Sequence, residues 1–156
     1  MFSTGIQLTI LGAALAATLA GIGSAYGVHL PGSAAAGVLA EQPDLFGKVV
    51  VIQALPGTQG VYGFITGIIV LITSGVLTGN AGDLTVQQGW QYFIACIPAG
   101  VGGLMSAIYQ GKVAASVVHM IAKQPDAASR GITLTAVVET YAILALLTSI
   151  LLILFV

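Results

Sequence analysis

The sequence predicts an all-α membrane protein: four transmembrane helices, paired as two duplicated helical hairpins and assembling into a homo-oligomeric ring. Three observations carry this. Of the 156 residues 57% are hydrophobic and 6% charged, and the mean hydropathy is +1.03; a soluble domain holds about 25% charged residues. Charges and turn residues divide the chain into four apolar stretches, each longer than the roughly 20 residues that cross the hydrocarbon. The chain also repeats itself: displaced by 82 residues, EQPD (Glu41–Asp44) falls on KQPD (Lys123–Asp126) without a gap.

The first helix is expected from about Thr4 to Leu39. Its start, MFSTGIQLTILGAALAA, has no basic residue ahead of the apolar run, so it reads as a retained membrane helix and not a cleaved signal. The EQPD loop ends it, because proline disfavours helical backbone in the residue before it. Asp44 is then expected to cap the second helix, Leu45 to Leu77. The loop TGNAGDLT (Thr78–Thr85) leads into the third helix, Val86 to Ala122. KQPD closes that helix as EQPD closes the first, and Asp126 is the expected cap of the fourth, Ala127 to the end. Residues 1–78 thus form the first hairpin and 86–156 the second.

The repeat extends through the helices. Ala13, Ala17, Gly21, Ser24 and Ala25 fall on Ala95, Ala99, Gly103, Ser106 and Ala107, and Ala54 and Thr58 fall on Ala136 and Thr140. Small residues spaced by four let helix backbones approach closely in lipid, where no hydrophobic effect drives association. Two equivalent rows, one per hairpin, suit helices crowded side by side on the narrow inside of a ring.

All four basic residues, Lys48, Lys112, Lys123 and Arg130, lie in or near the QPD loops. By the positive-inside rule the QPD loops are cytoplasmic and both termini outside. Trp90 and Tyr92 are then expected at the outer interface as belt residues. The net charge of −1 offers no basic stripe to meet phosphates, so no nucleic-acid partner is expected. The single cysteine, Cys96, reads as a small buried hydrophobe. His29 and His119 lie near the cytoplasmic ends and read as interfacial residues.

One residue breaks the pattern. Glu139, in AVVETYAIL, is the only charge between Gly131 and Val156. An acid at the centre of a membrane helix costs roughly 2.5 to 3.5 kcal/mol on insertion scales and usually serves an ion or proton pathway. Glu139 lies 13 residues after Asp126, and Gln110 lies 13 residues before Lys123. Both therefore sit about 20 Å from their loop, within a core about 30 Å thick. Gly57 holds the repeat position of Glu139, so the first hairpin has no carboxylate there. It offers Leu55, Thr58, Gln59 and Tyr62 instead, one face of a helix. Pro56 removes a backbone donor beside them and frees carbonyls nearby. Carboxylate, hydroxyl and amide oxygens suit a hard cation. A proton carrier would need only the carboxylate and apolar surroundings, and unmatched amides in lipid are costly. The inventory therefore favours Na⁺, bound by Glu139, Gln110, Gln59, Thr58 and the Leu55 carbonyl with Tyr62 holding the carboxylate, and leaves H⁺ as the alternative.

LPGTQGVYG (Leu55–Gly63), YQGKVAAS (Tyr109–Ser116) and VVETYAIL (Val137–Leu144), supported by GIGSAYG (Gly21–Gly27) and the two QPD loops, together resemble the proteolipid subunit, K or c, of prokaryotic V-type ATPases, in its duplicated, sodium-translocating form. The resemblance covers nearly the whole chain. It implies that Glu139 binds the transported ion, that Leu55, Thr58, Gln59 and Gln110 complete the sodium ligands, and that Tyr62 hydrogen-bonds the glutamate. It further implies a ring of about ten copies in the cell membrane, turning against a stator subunit that carries an arginine. The QPD loops would seat a central stalk subunit, and membrane lipid would fill the ring. No catalytic residue is expected, since the chain has no GxxxxGK[ST] loop to hold ATP. A small four-helix cation antiporter is the competing reading; it would place aromatic and polar residues around an internal cavity, where this chain has alanine and glycine.

Overall fold

The computed structural model describes residues 3–82 and 84–156. Asp83, within the expected middle loop, lies outside them. Among the described residues four helical segments are long and apolar enough to cross a membrane. Helix α1, Thr4–Glu41, opens at Ser3, whose hydroxyl accepts from the Ile6 amide. Helix α4, Val86–Lys123, opens on a reciprocal pair: the Gln88 amide donates to Thr85 Oγ1 at 3.2 Å, and the Thr85 amide donates to Gln88 Oε1 at 3.1 Å. This satisfies two of the donors that a helix start leaves unpaired. Each helix has 38 residues, about 57 Å at 1.5 Å per residue. Each therefore outruns the ~30 Å hydrocarbon layer and projects beyond it.

The two helices end alike and slightly later than expected. The Gln42 amide donates to Val38 and the Gln124 amide to Met120, each at 2.8 Å. Tight 3₁₀ turns follow at Pro43–Leu45 and Pro125–Ala127. Asp44 and Asp126 sit inside these turns, and neither next helix has a side-chain cap, so the expected aspartate caps do not form. The backbone closes the turn instead, Leu45 donating to Gln42 and Ala127 to Gln124. Proline fits the first turn position because its missing N–H has no partner there.

The second span is three pieces: α2, Phe46–Ala54, a 3₁₀ turn at Leu55–Gly57, and α3, Thr58–Thr73. Pro56 has no amide to continue the ladder, and the chain tightens around it. The helix stops at Thr73, four residues before the expected Leu77. Gly75 there adopts φ +74°, a left-handed conformation natural to glycine, and the Leu77 amide reaches back to the Leu71 carbonyl. The fourth span, α5, Ala128–Leu154, has no such break.

Helices α1 and α4 form the most extensive contact and run parallel. A Cβ placed on Gly89 would stand 2.5 Å from the Gly5 carbonyl oxygen, and one on Gly111 would stand 2.3 Å from that of Gly27. Glycine is required at these positions because backbone touches backbone. α3 packs on α1, α5 packs on α4, and α3 meets α5. One apolar cluster (Ala16, Val70, Cys96, Ile153) lies towards the chain ends and another (Val49, Ile52, Val118, Ile121) towards the QPD turns. The polar site lies between them.

Helix rotation corrects two expectations. The α4 row Ala95, Ala99, Gly103, Ala107 and Gly111 is buried, but its counterpart on α1 is not. Ala25 is exposed, and nothing approaches within 4 Å of a Cβ built on Gly21. α1 turns a different face to α4: Gly5, Gly12, Ala16, Ala20, Gly23 and Gly27. Of the two expected belt aromatics, Trp90 is half exposed, but Tyr92 is buried in the core.

Candidate functional site

The break at Pro56 builds half of the site. It turns the chain so that Leu55, Thr58, Gln59 and Tyr62 face α4 and α5. Thr58 Oγ1 lies 3.0 Å from the Leu55 carbonyl oxygen, 3.3 Å from Gln59 Oε1 and 2.7 Å from Glu139 Oε1. A hydroxyl has one proton, and the carboxylate at 2.7 Å is its nearest acceptor. The other oxygens crowd the same point without a proton between them, an arrangement that a small hard cation would stabilise. Tyr62 donates its phenol hydroxyl to Glu139 Oε1 at 2.5 Å. Both hydrogen bonds fall on one carboxylate oxygen, and such bonds to an ionised group are stronger than neutral ones.

α4 and α5 build the other half. Gln59 and Gln110 are fully buried. Gln59 donates through Nε2 to Gln110 Oε1 at 2.6 Å and lies 3.3 Å from Ser106 Oγ. Gln110 donates in turn to the Thr135 carbonyl at 3.1 Å, and Ser106 to that of Val138 at 3.1 Å. Among the described residues no buried side-chain polar atom lacks a partner. The amides thus form a closed wall behind Glu139, while Glu139 itself is half-buried and reachable from outside. All six residues singled out from the sequence come together, and Gly57 stands beside them. Glu139 meets Thr58 and Tyr62 directly, whereas Gln110 joins through Gln59.

Ser106 is the partner that sequence reasoning missed. Its signal was present: Ser24 and Ser106 occupy one repeat position within otherwise alanine and glycine rows. In the first hairpin Ser24 Oγ accepts from the Gly60 amide at 2.7 Å. Gly103 brings α4 close: a Cβ there would be 2.8 Å from Ala20 Cβ and 3.6 Å from the Gln59 carbonyl. Among the described residues no three His, Cys, Asp or Glu side chains gather as a metal cluster. His29 and His119 are exposed and away from Glu139; His29 Nδ1 lies 3.4 Å from Ser33 Oγ.

The chain is similar to known proteins over most of its length. It is 43% identical over 150 residues to the V-type sodium ATPase subunit K of Enterococcus hirae, covering 96% of this chain and 92% of that protein. It is 38% identical over 145 residues to the A-type ATP synthase subunit K of Methanocaldococcus jannaschii, covering 93% of this chain and 61% of that one. The family profile of the ATP synthase C subunit matches twice, over residues 11–70 and 93–152. The second match is the first displaced by 82, and the same displacement carries α1, Thr4–Glu41, onto α4, Val86–Lys123. With a single carboxylate seated mid-membrane in the second of two repeated hairpins, the chain belongs to the family of the ATP synthase C subunit.

Proposed function

We propose that the chain is the Na⁺-carrying subunit of the rotor ring of a V-type rotary ATPase. The observation that carries this is the crowding of Glu139 Oε1, Thr58 Oγ1, Gln59 Oε1 and the Leu55 carbonyl around one point within the span. The name of the Enterococcus hirae relative, a sodium ATPase subunit, supports the choice of ion.

Glu139 supplies the charge, and Thr58, Gln59, Gln110 and the Leu55 carbonyl supply neutral oxygens. Gln110 turns its Oε1 from the Gln59 amide to the ion while keeping Nε2 on Thr135. Tyr62 fixes the carboxylate from the other side. An unneutralised carboxylate facing lipid is costly, so Glu139 enters the bilayer only with its ion bound. At the stator, water reaches the site and an arginine of that subunit displaces the ion. Rotation and ion flux are coupled because the empty site cannot turn into lipid. The chain hydrolyses nothing; other subunits supply the torque.

The two hairpins, 1–78 and 86–156, divide the work: the first supplies most of the oxygens and the second supplies the charge. The QPD turns face the cytoplasm and seat the central stalk, and both termini lie outside. The ring, of about ten copies, is filled by membrane lipid. Equilibrium binding of ²²Na⁺ to the purified protein tests this reading. One Na⁺ per chain, abolished by Glu139→Gln, is expected; no saturable ²²Na⁺ binding would rule out sodium as the cargo.

A further inference from the structure

The contact between the two hairpins has an open counterpart on the outside of the chain. Within the chain, Gly23 of α1 packs on Leu104 of α4, and Gly12 packs on Phe93. Displacement of Gly23 and Gly12 by 82 gives Met105 and Ile94; displacement of Leu104 and Phe93 back by 82 gives Ile22 and Leu11. These four are 43%, 53%, 56% and 49% exposed. They form two faces, one on each hairpin, that would meet if the in-chain contact were repeated between copies. A groove between α1 and α3, lined by Ile10, Ala13, Ala17, Phe64, Gly67 and Leu71, lies on the same side. Its counterparts on the second hairpin include Tyr92, Ala95 and Ile153, which the first hairpin of the same chain covers. Nothing in the chain covers the groove itself.

Tyr141 marks the centre of this face. It lies 82 after Gln59, but Tyr141 is 70% exposed where Gln59 is fully buried. Gln59 is walled by Gly103, Ser106 and Gln110. The corresponding wall on the first hairpin is Gly21, Ser24 and Val28. It is open: nothing comes within 4 Å of a Cβ on Gly21, and one on Gly57 meets only Val28 Cγ2, at 3.6 Å.

We propose, resting on the rotor reading, that α1 and α3 of one copy receive α4 and α5 of the next in the register of the in-chain contact. Met105 then lies on Ile22 of the next copy, Ile94 on its Leu11, and Tyr141 in the seat walled by its Gly21, Ser24 and Val28. This junction is an apolar spacer and not a second cation seat. Gly57 stands where Glu139 would be, Val28 where Gln110 would be, and Leu144 where Tyr62 would be. The missing carboxylate of the first hairpin thus has a structural reason: the glycine leaves room for a neighbour's aromatic ring.

The test is disulfide cross-linking of the full chain in membranes, in a Cys96→Ala background. Oxidation of Ile22→Cys with Met105→Cys should give a ladder of covalent multimers, and each single variant should not. Ile22→Cys with Ile94→Cys, about 16 Å away along α4, should give none; a ladder from this pair and not the first would overturn the register. Native mass spectrometry separates the two levels of inference. A multi-copy particle without the 22–105 ladder sinks the register alone, and a monomer or dimer sinks the rotor reading with it. Tyr141→Ala should lower the detergent resistance of the ring, and Tyr141→Phe should restore it, with the Na⁺ midpoint at Glu139 unchanged within about twofold. A ring as resistant with alanine as with tyrosine would remove Tyr141 from the junction.

Discussion

Replacement of Thr58 by valine isolates one oxygen of the site. Valine keeps the β-branched shape and fills the same space at the start of α3, so the backbone turn at Leu55–Gly57 is preserved. What disappears is a hydroxyl 2.7 Å from Glu139 Oε1 and 3.0 Å from the Leu55 carbonyl. A hydrogen bond or polar contact to a charged group contributes about 1.5 to 3 kcal/mol. At 1.4 kcal/mol per factor of ten, this is roughly a tenfold to hundredfold loss of ion affinity. The assay is protection of Glu139 from a carbodiimide, read by mass spectrometry of the purified protein across a NaCl series. The protection midpoint should move to higher NaCl by that factor, while Tyr62 still holds the carboxylate and the fold is unchanged by circular dichroism. A midpoint within twofold of the unaltered protein would show that the Thr58 hydroxyl contributes nothing to the ion, and the reading of the oxygen cluster as a coordination shell would fall.

Gln59→Leu leaves the buried Gln110 Oε1 and Ser106 Oγ without the amide that now serves both. A loss of about 1 to 3 kcal/mol is expected from the unsatisfied groups, visible as a lower thermal midpoint in detergent together with weaker Na⁺ protection. Gly111→Ala places a methyl 2.3 Å from the Gly27 carbonyl oxygen, so α1 and α4 must separate. Overpacking of this kind costs about 1 to 3 kcal/mol, measured by thermal unfolding. Gly37→Ala, with nothing within 4 Å of the new Cβ, is its control and should be neutral or stabilising by up to about 1 kcal/mol. Cys96, 2% exposed, should resist a maleimide in the folded protein and react once SDS opens the helices.

The positions of these residues along the membrane normal are legible in the sequence, and their directions around each helix are not. Depth is a count from the QPD turns, so counting alone puts Glu139, Gln110 and the LPGT stretch at one level. Azimuth depends on which face each helix turns to its neighbours. That is why Tyr92 reads as a lipid-belt residue and lies in the core. It is also why the two small-residue rows, alike in sequence, have opposite fates: the α4 row is buried within the chain and the α1 row is open. Proline is legible as an interruption, but the outcome at Pro56, a single 3₁₀ turn that brings Thr58 beside the Leu55 carbonyl, depends on the helices packed around it. The aspartates of the QPD turns resemble helix caps in sequence, yet their turns close through the backbone of Gln42 and Gln124. Ser106 was hidden because serine within a small-residue row reads as packing until an amide from another helix points at it.

Sodium is the central claim, and the most direct test of it is the labelling of Glu139 in the unaltered protein at fixed pH, with NaCl and KCl titrated in parallel. Protection by Na⁺ at concentrations where K⁺ has no effect is the expected result, because the Thr58, Gln59 and Leu55 oxygens crowd a space suited to a small cation. Labelling that follows pH alone and is indifferent to both salts would contradict it and would assign the site to protons.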